Sequence, residues 1–250
     1  MPHHNALAGA IRKLASHSYL DPDDRAAILA LPHSVRSIDT GTYLVREGDL
    51  AEYCCVIVSG FSYRHKVTGE GQRQILAIHM AGDAVDLHNL FLDISDHNIQ
   101  ALTRSEIAFV PCRAVRELVE VRPNVARAMW TETLIDGSIF REWVLNVGRR
   151  PAIGRIAHLL CEIGLRMEAA GLANAGSYEM PMTQEQMGDA AGLTSVHVNR
   201  VLQELGRLGL IERSKRTITI PDWEHLRRIG DFNARYLHLE PSEQAKRTAA

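Results

Sequence analysis

The chain has 250 residues, which is enough for one large domain or two small ones, each with its own core. Hydrophobic residues make up 46% of it and charged residues 23%, both ordinary values for a soluble globular protein. No apolar run reaches the roughly 18 residues of a membrane span, and the polar N-terminus lacks the layout of a secretion signal, so we expect a cytoplasmic protein without a membrane partner.

The net charge of −2 does not by itself indicate a protein that binds nucleic acid. Between residues 195 and 216, however, five basic residues stand against two acidic ones. A local excess of this kind attracts phosphate, although a merely solvated surface has the same composition.

The first half of the chain is predicted to change from helix to strand. Residues 1 to about 30 are expected to be helical, with an acidic, proline-containing helix start at Asp21-Pro22. From about 35 to 90, short apolar runs alternate with glycine-containing turns, and a further run at 106–110 ends before Pro111. This spacing predicts an antiparallel sandwich or barrel.

A long helical stretch is predicted from 114 to 147, with one break at Arg122-Pro123, because proline lacks an amide donor. Its apolar residues recur at three- or four-residue spacing, which favours packing on a partner chain but also fits packing within its own domain. The predicted dimerisation residues are Val125, Ala128, Ile135, Ile139 and Trp143. Gly148 to Pro151 then form a hinge before another helix at about 152–169.

Residues 183 to 205 predict two short helices joined by a tight turn. Thr183 is expected to cap the first helix with a capping-box partner, and Thr194 or Ser195 the second. Gly192 lies at the turn, where glycine tolerates a positive φ. Apolar residues fall where a helix-turn-helix needs its shared core, namely Met187, Leu193, Val198 and Val201. An ordinary helical hairpin would leave the polar residues of the second helix unexplained.

The segment after these helices, 207–221, is predicted as strand, basic turn and strand, which is a wing able to contact phosphate. The second helix can enter a major groove, where arginine suits guanine and asparagine suits adenine. Arg200 is the leading candidate for base contact, with a phosphate contact or a salt bridge as alternatives. The predicted DNA-binding residues are Thr183, Ser195, Val196, His197, Asn199, Arg200, Arg213 and Lys215.

Three short motifs of the β-rich region, Gly41–Asp49, Ser59-Gly60 and Gly82-Asp83, resemble the G-x-x-L-x-R-E-G-D, S-G and G-D landmarks of the Crp/Fnr family of bacterial regulators. Residues 183–205 resemble that family's helix-turn-helix, so the resemblance covers nearly the whole chain. It implies an α+β fold with four parts. These are an N-terminal antiparallel β-roll (a cyclic-nucleotide-binding-like double-stranded β-helix) over 1–114, a dimerisation helix over 115–148, a winged helix-turn-helix domain over 149–223 with its motif at about 183–203, and a tail over 224–250.

The resemblance also implies a function. A homodimeric transcription regulator is expected, which binds a palindromic site on double-stranded DNA, contacts RNA polymerase and is not an enzyme. Activator is the expected type, but the sequence leaves activator and repressor open. A catalytic or small-molecule-binding β-barrel is the alternative class, and the absence of H-x-H spacing in the sensor region and of a G-x-S-x-G motif argues against it.

Departures from the family pattern bear on the signal that is sensed. Cyclic-AMP-binding members carry Gly-Glu for the ribose and Arg-Ser for the phosphate, whereas Asp86-Leu87 and His97-Asn98 stand here. Because these residues give an anion no cradle, no cyclic nucleotide is expected. Many members also have a glutamate where this chain has Val196, so a related but different DNA site is expected.

The cysteines and histidines of the chain are its possible ligands for other cofactors. No cysteine precedes Cys54, so the N-terminal cysteine cluster of oxygen-sensing members is missing and no iron–sulfur cluster is expected. Buried structural thiols are the simplest interpretation of the four cysteines, Cys54, Cys55, Cys112 and Cys161, with a redox-sensitive thiol left open. No metal site is predicted. Ligation of haem or a metal stays open for His79, His88 or His97, and so does a sensor gated by a ligand, by haem or by redox state.

Overall fold

The computed structural model describes residues 6–174 and 176–239. They divide into two compact units, the first comprising residues 6–66, 77–138 and 238–239 and the second residues 67–76, 139–174 and 176–237. None of the helices in this part of the chain combines the length and the apolar composition that crossing a bilayer requires.

Two helices open the first unit, α1 (Ala8–His17) and α2 (Pro22–Leu29). The predicted start of α2 is confirmed, because the Asp21 carboxylate accepts a hydrogen bond from the Asp24 amide and Asp24 returns one to the Asp21 amide. Pro22 occupies the first helical position, where its missing amide hydrogen costs nothing.

Eight strands follow and form two four-stranded antiparallel sheets, as the alternation of apolar runs and turns predicts. Their bounds are β1 (Ser34–Ile38), β2 (Tyr43–Val45), β3 (Tyr53–Ser59), β4 (Phe61–Val67), β5 (Arg73–Met80), β6 (Ala84–Val85), β7 (Asn98–Ala101) and β8 (Ser105–Pro111). One sheet has the order β1-β8-β3-β6 and the other β2-β7-β4-β5. A short 3₁₀ helix, Leu87–Leu90, follows β6.

The central strands of the first sheet, β3 and β8, are buried on both faces, and successive side chains of β3 point to opposite sides. Cys55 and Ile57 pack with Ile99 of the second sheet, which forms the core between the sheets. Cys54 and Val56 join the helix-covered core instead, together with residues of α1 and α3 (Cys112–Val121). Cys54 and Cys55 therefore face opposite sides of the sheet.

The long helical stretch breaks where proline predicts it: α3 ends at Val121 and α4 (Pro123–Arg149) begins two residues later. The boundary between the two compact units falls within α4, after Ser138. The helix break of the predicted hinge is present, since α4 ends at Arg149 and α5 begins at Ala152, and the domain boundary placed there stays a prediction.

The second unit contains α5 (Ala152–Ala169), α6 (Gln184–Ala191), α7 (Ser195–Arg207) and α8 (Trp223–Ile229). A three-stranded sheet of order β10-β11-β9 completes it, with β9 (Ser177–Glu179), β10 (Glu212–Ser214) and β11 (Thr217–Thr219). Part of the predicted tail thus belongs to this unit, because α8 begins at Trp223. Gly230, which caps its C-terminus, lies so close to α5 that an added Cβ would meet the His158 amide nitrogen at 2.7 Å. Residues 240–250 of that tail lie outside the described residues.

Candidate DNA interface and sensor site

The first helix of the predicted motif, α6, begins with the expected capping box. The Thr183 hydroxyl accepts a hydrogen bond from the Gln186 amide at 3.2 Å, and the Gln186 side chain accepts one from the Thr183 amide at 2.8 Å. Two amide groups that the first turn leaves without helical partners are satisfied in this way.

The turn between α6 and α7 needs two glycines for different reasons. Gly192 has a φ of 64°, the left-handed conformation in which a side chain is strained. Gly188 lies under the turn, and a Cβ there would stand 2.4 Å from the Leu193 carbonyl oxygen. Thr194 then caps α7 by accepting a hydrogen bond from the His197 amide, which decides between the two cap residues that the sequence allows.

The helix α7 has one face in the domain core and one in solvent. Val198, Val201, Leu202 and Leu205 are buried, as are Met187, Ala190 and Ala191 of α6. On the other face, Ser195, Val196 and Arg200 are exposed, and Val196 keeps 69% of its surface accessible although it is apolar. An exposed valine beside an exposed arginine in the first turns of a helix is a surface suited to base edges in a major groove.

Asn199 is half-buried, and its side-chain amide donates a hydrogen bond to the Gln184 side chain at 3.0 Å. This contact fixes the first turn of α6 against α7 and brings Gln184 to the same surface. No local sequence signal marks Gln184 as part of this surface, because only the fold shows that it neighbours Asn199.

The predicted wing is present, and it is larger than predicted. β10 and β11 pair with Arg213 opposite Ile218, and β11 also pairs with β9, for which no strand was predicted. Arg213 and Lys215 are exposed, and Lys215 turns the hairpin with a φ of 54°. Arg216 instead donates hydrogen bonds to the Met180 and Pro181 carbonyl oxygens, so it holds the wing in place.

The eight predicted DNA-binding residues thus all lie in the second unit, on the two motif helices and the wing. Thr183, Ser195, Val196, Arg200, Arg213 and Lys215 are exposed, and His197 and Asn199 are half-buried.

Comparison with known proteins agrees with this geometry. The family model for the cyclic nucleotide-binding domain matches residues 35–122, and that for the Crp-like helix-turn-helix domain matches residues 154–229. The chain belongs to the Crp/Fnr family. It is a transcription regulator with a DNA-binding helix-turn-helix, and not an enzyme.

Several Crp/Fnr proteins are similar along most of their length. A probable transcriptional activator from Rhizobium leguminosarum bv. viciae is 29% identical over 199 residues, which cover 79% of this chain and 82% of that protein. The transcriptional activator protein FnrL from Cereibacter sphaeroides is 26% identical over 220 residues, covering 86% and 88%. The solved structure of FixK2 from Bradyrhizobium japonicum is similar with a TM-score of 0.75 and 26% identity, over 82% of this chain and 100% of that one.

In the sensor region, two residues that depart from the Crp/Fnr nucleotide pattern bond to each other. The His97 Nε2 lies 3.0 Å from each carboxylate oxygen of Asp86, and Arg64 Nη2 lies 3.0 Å from Asp86 Oδ1. Burial raises the pKa of the Asp86 carboxyl, but the hydrogen bond from His97 and the charge of Arg64 outweigh burial and hold it well below its usual range. The same Arg64 reaches Asp136 of α4 at 2.8 Å.

All four cysteines are free and buried. Burial raises the pKa of the Cys55 and Cys161 thiols to about 12, and it also raises the pKa of the Cys54 and Cys112 thiols. Since the thiolate is the reactive form, these are unreactive thiols in the folded protein.

The dimerisation prediction chose the inward face of α4. Val125, Ala128, Ile135 and Trp143 are buried within the chain itself, and Ile139 is half-buried. The exposed apolar side chains of this helix are a different set, Trp130, Leu134, Phe140, Val144 and Leu145. At 100° per residue, Trp130, Leu134, Val144 and Leu145 share one face, opposite the predicted stripe. The predicted residues lie on the covered face because α4 is apolar on two faces, and periodicity does not say which of them packs within the chain itself.

Proposed function

We propose that the protein is a homodimeric transcription activator that reads a palindromic promoter site with α7 and acts without cyclic AMP or an iron–sulfur cluster. The observation that carries this proposal is the exposed first turn and a half of α7, on a helix whose other face is anchored in the domain core. The relatives named as transcriptional activators support activation, which implies contact with RNA polymerase at the promoter. A DNA target also favours action in the cytoplasm.

Base reading is assigned to two residues of α7. Arg200 offers a planar pair of donors to the O6 and N7 acceptors of guanine, and Val196 offers a methyl surface to the methyl group of thymine. Arg213 and Lys215 of the wing are assigned to phosphate, because they are exposed cations outside the helix that enters the groove. The two classes of contact predict different effects of mutation.

The test is selection from a pool of random DNA duplexes by the wild type, Arg200→Ala and Arg213→Ala. We expect the wild type to select a palindrome with half-sites one helical turn apart. Arg200→Ala should lose preference at one base pair per half-site, with a cost of about 1–3 kcal/mol at that position. Arg213→Ala should weaken binding to all sequences and leave the preference unchanged. Loss of selectivity in Arg213→Ala but not in Arg200→Ala would overturn the assignment.

The proposed dimer interface is the exposed apolar face of α4, formed by Trp130, Leu134, Val144 and Leu145. Trp130 and Leu134 keep 62% and 55% of their surface accessible in the single chain, which is a large apolar exposure at helical spacing. Gly137, on the same face, lacks a side chain and allows close approach of a second helix. A second copy of α4 supplies a matching face, as a two-fold axis requires.

Sedimentation equilibrium tests the interface directly. We expect the wild type to be a dimer, and Leu134→Asp to be monomeric at the same concentration, because a carboxylate in the seam would be desolvated without a partner. Leu172→Asp is the matched control, since Leu172 is also exposed, at 43%, but lies outside α4. A dimeric Leu134→Asp protein would refute this interface.

Independence from cyclic AMP is supported by the bonds among Asp86, His97 and Arg64. The carboxylate of Asp86 is a buried anion and its Arg64 partner is already shared with Asp136, so a cyclic phosphate meets repulsion where it would need a free cation. We therefore expect the selection experiment to give the same affinity with and without added cyclic AMP. A rise in affinity with the nucleotide would contradict this part of the proposal.

A further inference from the structure

Three side chains that can ligate a metal converge in the first unit, next to β6 and β7. Asp86 follows β6, His88 lies in the 3₁₀ helix and His97 precedes β7. Each offers one ligand atom, and these atoms all lie within 4.8 Å of one another. His88 Nε2 is 4.0 Å from Asp86 Oδ1, and His97 Nε2 is 3.0 Å from both carboxylate oxygens.

The second nitrogen of His97 is held as it is in protein metal sites. His97 Nδ1 donates to Asp96 Oδ1 at 2.6 Å, which directs Nε2 towards Asp86 and His88. Ligating histidines commonly have such an outer carboxylate, because it fixes the ring and increases the basicity of the ligating nitrogen. Arg64 holds one oxygen of Asp86 in the same manner.

The charges around the three residues also favour a cation. Asp86, Asp96 and Asp136 bring three carboxylates, and Arg64 is the guanidinium that contacts two of them. Lys66 lies beside Asp96 but is paired with Glu47 at 2.9 Å, so it leaves the local balance unchanged. With neutral imidazoles the surroundings carry two negative charges in excess, which one divalent ion neutralises.

Access is provided by His88. Its side chain is 28% exposed, and it lines an open apolar groove of about 550 Å³ together with Leu87, Phe91 and Trp130. The exposed part of the His88 side chain is therefore where an ion would enter, since the Asp86 and His97 side chains are only 3% and 4% exposed.

We propose that Asp86, His88 and His97 bind one divalent first-row transition-metal ion per chain. Two imidazoles and one carboxylate suit Zn²⁺ and Fe²⁺ and are a poor match for Mg²⁺ or Ca²⁺, which take oxygen ligands. Three protein ligands leave at least one position open.

The test uses full-length, tag-free protein stripped of metal, in which His3 and His4 are replaced by asparagine so that neither can bind the probe ion. Zn²⁺ binding is measured by calorimetry, and Co²⁺ binding by its visible absorption. We expect one ion per chain. His88→Gln should abolish this binding, and its partial exposure makes loss of folding easy to detect by circular dichroism.

Two further variants separate a metal site from a hydrogen-bond network. Asp96→Asn keeps all three ligands, and we expect it to weaken binding about 10- to 100-fold. His33→Asn is the matched control, a half-buried histidine of the same unit, and it should bind as the wild type does. The proposal would be overturned by stoichiometric binding that is unchanged in His88→Gln, or by the lack of saturable binding in the wild type. Asp86, His97 and Arg64 would then form a structural hydrogen-bond network only.

Discussion

Glu162 is a buried carboxylate that joins three elements of the second unit, and its replacement by glutamine is the most informative stability test. The residue is 0% exposed. Trp143 Nε1 of α4 lies 2.9 Å from Glu162 Oε2 and 3.1 Å from Oε1, and the Tyr236 hydroxyl donates to Oε2 at 2.7 Å. Arg166, one turn further along α5, reaches Oε1 at 3.3 Å.

The size of the effect follows from these contacts. In Glu162→Gln, an amide oxygen at the Oε2 position keeps Trp143 and Tyr236, but both hydrogen bonds lose the charged acceptor, and the amide nitrogen faces Arg166. A hydrogen bond to a charged group contributes about 1.5–3 kcal/mol and a neutral one about 1 kcal/mol, so we expect a loss of about 2–3 kcal/mol. Glu162→Leu leaves the Trp143 indole N–H without an acceptor, while the Tyr236 hydroxyl keeps His158 Nε2 at 2.9 Å, and it should cost at least as much as Glu162→Gln.

Urea unfolding followed by tryptophan fluorescence, at one fixed protein concentration, measures these losses. With a slope of about 2 kcal/mol/M, glutamine should lower the midpoint of the second unit's transition by about 1 M. Glu168→Gln is the matched control, the same change at an exposed site of the same helix, with an expected effect within about 0.5 kcal/mol. If Glu162→Gln and Glu168→Gln have the same urea midpoint, the charge of the Glu162 carboxylate does not stabilise the fold.

Two further predictions concern the turn of the motif and the sensor histidine. Gly188→Ala should destabilise the second unit by about 1–3 kcal/mol and reduce DNA binding, because the added Cβ meets a backbone atom at 2.4 Å. Gly206→Ala is the control, since its nearest contact is at 3.9 Å and it should cause neither effect. Equal melting temperatures of the two variants would refute this prediction. Burial lowers the pKa of His97, but hydrogen bonds to Asp86 and Asp96 outweigh it and raise the pKa above 6.5. Its stabilisation is therefore complete below about pH 6.5 and lost as pH rises through the higher value, so that unfolding of metal-free protein should show a pH slope that His97→Asn removes.

The helix-turn-helix was predictable because its signals are local. Caps, the turn glycine and the apolar spacing all lie within about two dozen residues, and each acts on its immediate neighbours. The capping box at Thr183 and the left-handed Gly192 both occur as predicted. The exposed residues of α7 followed from the same spacing, since a helix with one buried face must expose the other.

Features that depend on distant parts of the chain were not predictable. The three-residue strand β9 exists because Tyr178 pairs with Ile218, forty residues away, and so short a segment has no periodicity of its own. The face of α4 that its own domain covers was likewise decided by tertiary packing. Asp86 and His97 drew attention as departures from a pattern, but only the fold shows that they bond to each other.

The four buried thiols allow local opening of the folded protein to be measured by thiol labelling. Cys54, Cys55 and Cys112 belong to the first unit and Cys161 to the second, so each unit carries at least one thiol that a reagent reaches only when the surrounding core opens. The rate at which a reagent labels each cysteine therefore measures the opening free energy of its own unit. Mass spectrometry of the labelled peptides would show which unit opens more often, and whether bound DNA slows labelling of the second unit alone. No probe has to be added to the sequence.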